Sequence, residues 1–179
     1  VLMHSKNVRD GSEITHRLGY LVDITERKER ELELEQFREA VEQSGHMVYI
    51  TDTDGRIEYV NPAFEESTGY DEADAIGRTP RILNSGEHDA DYYDVFWETI
   101  NAGMRWEGEI VDENAEGEQI VLDQTVSPLT DDEGEPRKFV AIAQDVTDRR
   151  AYEEALERAH DQIRRIIDLV PDLIFSKTR

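Results

Sequence analysis

One decapeptide occurs twice. Gly19-Tyr20-Leu21-Val22-Asp23-Ile24-Thr25-Glu26-Arg27-Lys28 is matched by Ala141-Ile142-Ala143-Gln144-Asp145-Val146-Thr147-Asp148-Arg149-Arg150, offset by 122 positions. Each copy passes from an apolar, strand-like stretch into a Glu-rich helical one. Each helical stretch is followed by a fresh apolar segment, His46 to Ile50 in one case and Pro171 to Phe175 in the other. A repeat at this period marks tandem domains. It predicts the end of one domain over residues 1–26, a helical linker over 27–45 and a complete domain over 46–148. A second helical linker over 149–170 and the start of a third domain over 171–179 follow, as in a piece of a longer array. The complete unit has a size that suits one small core.

Within that unit, Met47 to Thr53 and Arg56 to Val60 are apolar segments around Asp54-Gly55, a hairpin signal. Asn61-Pro62 opens a helix, because Asn caps well and Pro fits the first helical position; Gly69 closes it. Asp71 to Asn84 is short and irregular. Asp89 to Asn101 carries Tyr93, Phe96, Trp97 and Ile100 at helical spacing, and Gly103 ends it. Arg105 to Asp112, Gln119 to Pro128 and Lys138 to Val146 read as three further strands, joined through Glu116-Gly117 and Asp131-Asp132-Glu133-Gly134 and therefore antiparallel. The expected fold class is α+β, an antiparallel sheet with its helices over one face and a concave space between.

Charge bounds the partners. The chain has 42 Asp and Glu against 20 Lys and Arg, a formal charge of −22. Such a surface repels phosphate backbones and anionic headgroups, which excludes nucleic acid and membrane surfaces as direct partners of this segment. Aromatics and regular apolar segments argue against a disordered acidic tail. The excess instead reads as haloadaptation, since in molar salt self-repulsion is screened while carboxylates keep the surface hydrated. With no cysteine there is no disulfide, thiolate metal site or cysteine nucleophile. The longest apolar run, Phe139 to Ala143, is too short to span a bilayer, and no signal peptide is evident, so a cytoplasmic location is expected.

The order of several short motifs resembles the PAS domain family over Val48 to Arg150. They are Thr51-Asp52-Thr53-Asp54-Gly55-Arg56-Ile57, Tyr59-Val60-Asn61-Pro62-Ala63-Phe64, Thr68-Gly69-Tyr70, Ile76-Gly77-Arg78 and Trp106-Glu107-Gly108-Glu109. Asp145-Val146-Thr147 resembles the Asp-Ile-Thr ending of such domains and is repeated at Asp23-Ile24-Thr25. The resemblance implies a five-stranded antiparallel sheet, a helical flank that encloses a ligand in some members, and a sensory or relay role. It also implies an output domain elsewhere in the chain, most often a histidine kinase, with a transducer or a transcriptional regulator as alternatives.

The linkers point the same way. Tyr152, Leu156, Ala159, Ile163, Ile166 and Val170 follow heptad spacing, and Leu34, Phe37, Val41 and Ser44 offer a shorter seam upstream. Pairing such seams between two copies predicts a homodimer; a helix packed on its own domain is the alternative. Asp145 with Asp148, and Asp23 with Glu26, resemble acidic capping boxes. Asp145 and Thr147 are the expected junction between sheet and exit helix.

Candidate pocket residues are Asn61, Phe64, Tyr70, Arg81, Asn84, Trp97 and Trp106, with Tyr92, Phe96 and His88 beside them. Aromatics at helical spacing also serve as ordinary core. The resemblance admits a flavin, with Trp106 stacked on its ring and Asn61 or Asn84 at its polar edge. The cysteine that forms a light adduct is absent, and no His lies in the helix Asp89 to Asn101 to ligate haem. His88 reads as solvated, His160 as a surface helix residue, and His4, His16 and His46 lack metal-ligand spacing. Carboxylate pairs such as Glu65-Glu66 and Asp131-Asp132 are too common in so acidic a chain to mark catalysis, and no phosphate loop or nucleophile motif is present. A ligand sensor, a ligand-free relay and, last, an enzyme remain as function classes.

Overall fold

In the computed structural model the described residues are 2–10 and 13–175, with side chains described over 23–167. Two compact units are present, Val1–Gln43 and Ser44–Arg179. In the first, β1 (Leu2–Asp10) and β2 (Glu13–Val22) form an antiparallel hairpin, followed by α1 (Thr25–Glu42). Ser44, placed on the upstream seam, lies past the end of this helix, where its hydroxyl accepts the His46 N–H at 3.1 Å and turns the chain.

In the second unit the strands are β3 (Met47–Asp52), β4 (Ile57–Val60), β5 (Trp106–Glu113), β6 (Gln119–Thr130) and β7 (Pro136–Asp145), in the antiparallel order β4-β3-β7-β6-β5. Three of the reversals use one device. Asp52, Asn114 and Asp131 each accept two backbone N–H groups with one side-chain oxygen, from Asp54 and Arg56, Glu116 and Glu118, and Glu133 and Glu135 respectively. The turn then needs a left-handed residue before the strand restarts, which Gly117 (φ 84°) and Gly134 (φ 86°) supply.

Between β4 and β5 run α2 (Pro62–Thr68), α3 (Glu72–Ala75), a 3₁₀ turn at Pro80–Leu83 and α4 (Ala90–Asn101). This crossover covers both edges of the sheet. On β4, Ile57 N–H donates to Arg78 and Gly77 N–H to Ile57, both at 2.8 Å. On β5, Asn84 bridges Asp112, the Ser85 hydroxyl donates to the Val111 carbonyl, Val111 N–H donates to His88 Nε2 at 2.9 Å, and the Tyr92 hydroxyl donates to the Glu109 carbonyl at 2.9 Å. Part of each edge is thereby withdrawn from pairing with another strand.

The core lies between the sheet and the crossover, with Met47, Ile57, Phe64, Leu83, Ile100 and Leu122 almost wholly buried. α5 (Thr147–Phe175) leaves the end of β7. Two expectations change here. The Asp residues of the repeat do not form boxes with the acidic residue three positions on. Asp145 Oδ1 instead accepts both the N–H (2.8 Å) and the hydroxyl (2.6 Å) of Thr147, and Asp23 does the same for Thr25 at 2.9 and 2.6 Å. The helix starts at the Thr, so the Asp is one position too early to cap and closes on the first helical residue. Pro171 to Phe175, expected as a first strand, is helical and continues α5, its backbone groups pairing within the helix. Residues 176–179 of that expected domain lie outside the described residues.

Candidate functional site

Strand alternation decides what faces the crossover. Tyr49 and Thr51 on β3, Ile110 and Asp112 on β5, Gln124 and Val126 on β6, and Phe139 and Ala141 on β7 share the inner face and floor a cavity of about 690 Å³. Its roof and mouth come from the crossover, through Thr79, Pro80, Arg81, Asn84, His88, Tyr93, Phe96, Trp97 and Ile100. The volume is within the range of small-molecule sites.

Of the residues expected at a pocket, Arg81, Asn84 and Trp97 line this space, as do His88 and Phe96. Asn61, Phe64, Tyr70, Tyr92 and Trp106 do not. Asn61 is 1% exposed and holds backbone: its Oδ1 accepts Val48 N–H (2.8 Å) and Phe64 N–H (3.1 Å), and its Nδ2 donates to the His46 carbonyl (2.9 Å). It joins the start of β3 to the start of α2. Phe64 is fully buried, edge-on to Tyr49. Tyr70 donates to the Ile82 carbonyl at 3.4 Å, beside the cavity. Trp106 lies over Gly108, where a Cβ would meet its ring at 2.8 Å, and packs edge-on against Phe96 and Tyr92. It does not line the cavity. His88 is half-buried, not solvated, stacked on Tyr92 with ring centroids 4.0 Å apart and accepting Val111 N–H.

The buried polar floor was not among the expected residues. Tyr49, Thr51, Asp112 and Gln124 are each under 8% exposed. Gln124 Nε2 donates to the Tyr49 hydroxyl at 2.6 Å, and burial pushes the Tyr49 phenol upward, with Asp112 adding to the rise and Gln124 opposing it. Asp112 is different. Among the described residues no group donates a hydrogen bond to its carboxyl, and burial pushes its pKa up to about 7. Burial, helped by Tyr93 and Asp112, pushes Tyr92 up to about 12. Tyr93 is raised by burial and Asp112 while Arg81 pulls it back.

Of the flavin contacts expected from sequence, Asn84 lines the cavity and Trp106 does not. Asn61, the alternative to Asn84, is elsewhere, and the Asn84 Oδ1 accepts the Gly86 N–H at 2.8 Å. The crossover brings Trp97, Phe96 and Tyr93 to the cavity, opposite Tyr49 and Phe139 on the floor. Trp97 lies so close over Gly55 that a Cβ there would sit 2.9 Å from its ring, so that turn has no room for a side chain. Among the described residues no cluster of three potential metal ligands occurs, and no helix is long and apolar enough to cross a membrane.

The junction with α5 is tied to the sheet. Val146 N–H donates to the Val121 carbonyl (2.8 Å), and Val121 N–H donates to the Thr147 hydroxyl oxygen (2.9 Å). Arg150 pairs with Glu109 on β5. Beyond it, Tyr152, Leu156, Ala159, Ile163 and Ile166 are all exposed, and Val170 lies past the last described side chain.

The model of the family described as PAS fold matches residues 35–146. A nitrogen fixation regulatory protein of Klebsiella pneumoniae is 26% identical over 131 residues, covering 73% of this chain and 26% of that protein. The bacterioopsin transcriptional activator of Halobacterium salinarum is 25% identical over 170 residues, 93% of this chain and 25% of its own. The chain thus spans about a quarter of the length of these relatives. Among solved structures, the LOV domain of the Erythrobacter litoralis EL346 blue-light activated histidine kinase is 28% identical with TM-score 0.54, covering 59% of this chain and 99% of that domain.

Proposed function

Since this chain belongs to the PAS fold family, we propose that its complete domain is a cytoplasmic sensory module, acting as a homodimer, that reads a small ligand and passes the signal through α5 to an output domain. The observation that carries this reading is continuity. One sheet floors the cavity with its inner face and, through Val121 of β6 and Glu109 of β5, holds the first turn of α5. A ligand that shifts β5 against β6 therefore shifts the root of the helix. Similar regulatory proteins and sensor kinases favour a histidine kinase or a transcriptional regulator as the output. The domain itself is read as non-catalytic and the acidic surface as an adaptation to high salt.

Exposure of Tyr152, Leu156, Ile163 and Ile166 along α5 supports pairing with a second copy, because an apolar stripe open to water is normally covered. Light scattering in molar salt should report a dimer at tens of micromolar protein. Ile163→Glu would bury two like charges across the symmetry axis and should give a monomer with an unchanged far-ultraviolet spectrum. A monomeric parent chain would end the paired-helix reading. The absorption spectrum of the same preparation tests the flavin: a band near 450 nm would place one in the protein. Its absence, together with failure to take up added flavin, leaves a non-flavin ligand or a ligand-free relay.

A further inference from the structure

The cavity combines a buried, unpartnered carboxyl group with flat aromatic walls and an acidic mouth. Asp112 is 6% exposed, its carboxyl opens on the cavity, and no donor among the described residues satisfies it. The segment Asn84 to His88 fastened along β5 holds it there. Asp54, Asp89 and Asp94 also line the space, against a single guanidinium, that of Arg81, which makes no ion pair with Asp112 among the described residues. Tyr93 and Trp97 stand in the same wall.

A carboxylate inside low-dielectric walls is costly unless a cation joins it, and a concave site rimmed by like charges concentrates ions of the opposite sign. Aromatic faces add attraction for the same class of ligand. Accepting the ligand-sensing reading above, we propose that the cavity takes a small organic cation, an amine or amidine on a flat apolar body, with Asp112 as its counter-ion. Burial alone pushes the Asp112 carboxyl up to about 7, and a cation bound beside it would draw it down again. An anionic ligand would have to face four carboxylates with one arginine to offset them. The gross charge of −22 acts in the same direction at long range until salt screens it, whereas the buried partner is screened far less.

Three probes with one skeleton separate the possibilities: 2-phenylethylamine, 2-phenylethanol and phenylacetate, titrated in molar salt and followed by chemical-shift changes at the cavity lining. The amine should bind at least about tenfold more tightly than the other two, the worth of one charge-assisted hydrogen bond. Asp112→Asn, nearly the same size, should abolish that preference while its spectrum shows an intact fold. Asp112→Ala should do the same should the amide find a donor role of its own. If the alcohol or the carboxylate binds as tightly as the amine, the cation class is wrong and the cavity remains a ligand site. If none of the three perturbs the lining, the cation class falls, while the flavin spectrum and uptake test decide the ligand-sensing reading separately.

Discussion

The inner face of the sheet has two parts built from the same strands by the same alternation. Towards α2, Met47, Ala143 and Leu122 form one buried cluster with Phe64, Val60 and Ile57. Under α4, Tyr49, Thr51, Ala141, Gln124 and Asp112 face Tyr93 and Trp97 across a cavity. The difference is in polarity. The cluster towards α2 is apolar, whereas the other part mixes Ile110, Val126 and Phe139 with polar side chains and faces a half-exposed helix. Burial thus means different things in the two parts: Phe64 is enclosed by atoms, while Asp112 is shielded from bulk water yet open to a void. The packed part sets stability and the hollow part is free to set specificity.

The largest expected effect tests that division directly. Phe64→Ala should cost about 3–5 kcal/mol, a large share of a small domain's total stability. Trp97→Ala, on a half-exposed residue at the cavity wall, should cost less than about half of that. Urea denaturation in molar salt measures both. Equal losses would mean that the helix closes onto the sheet around Trp97 and that the hollow part is packed in solution.

Next in size is the pH dependence of stability that Asp112 introduces. Its carboxyl moves from an ordinary 3.8 to about 7 in the folded state. Between these values the folded chain holds a proton that the unfolded chain has lost. The contribution is therefore complete below the lower value, declines as pH rises, and is gone above the upper one, a change on the order of 4 kcal/mol. Asp112→Asn stays neutral throughout. Calorimetry should find the variant and the parent alike at about pH 4, and the variant clearly more stable at about pH 8. The other carboxylates titrate in both proteins and cancel. A difference that does not change with pH would mean that Asp112 is hydrated like a surface carboxylate.

Most of the packed part is legible from sequence. Alternation marks the strands, Asn61-Pro62 and Gly69 bound α2, and Tyr93, Phe96, Trp97 and Ile100 mark α4, because these signals are local and repeat along the chain. The hollow part is legible only in fragments. Trp106 and Asn61 look like ligand contacts because aromatics and amides have that chemistry, but Trp106 is drawn over Gly108 and Asn61 is consumed by backbone groups. Asp112 is hidden by the abundance of acids, 42 in all. A trace of it exists in β5, where Glu107, Glu109 and Glu113 share the outer register while Asp112 alternates with Ile110 and Gly108 on the inner one. That the segment after the 3₁₀ turn would fasten along β5, through Ser85, His88 and Tyr92, is a long-range pairing that no local pattern announces.

The smallest effect compares two buried carboxamides, one in each part. Asn61 is 1% exposed and Gln124 is 4% exposed, so burial alone would rank them together. Their clients differ. Asn61 satisfies the N–H groups of Val48 and Phe64 and caps α2, and neither donor can turn elsewhere in a filled core. Asn61→Ala should therefore cost about 2–4 kcal/mol, from orphaned donors and a lost cap together. Gln124 serves the Tyr49 hydroxyl, which also lines the cavity and can bond water that enters in place of the amide. Gln124→Ala should cost about 1 kcal/mol or less. Equilibrium denaturation of the two variants under identical salt gives the comparison. If Gln124→Ala costs as much as Asn61→Ala, the Tyr49 hydroxyl is cut off from water, the space under α4 is sealed, and a ligand could reach Asp112 only by opening the domain.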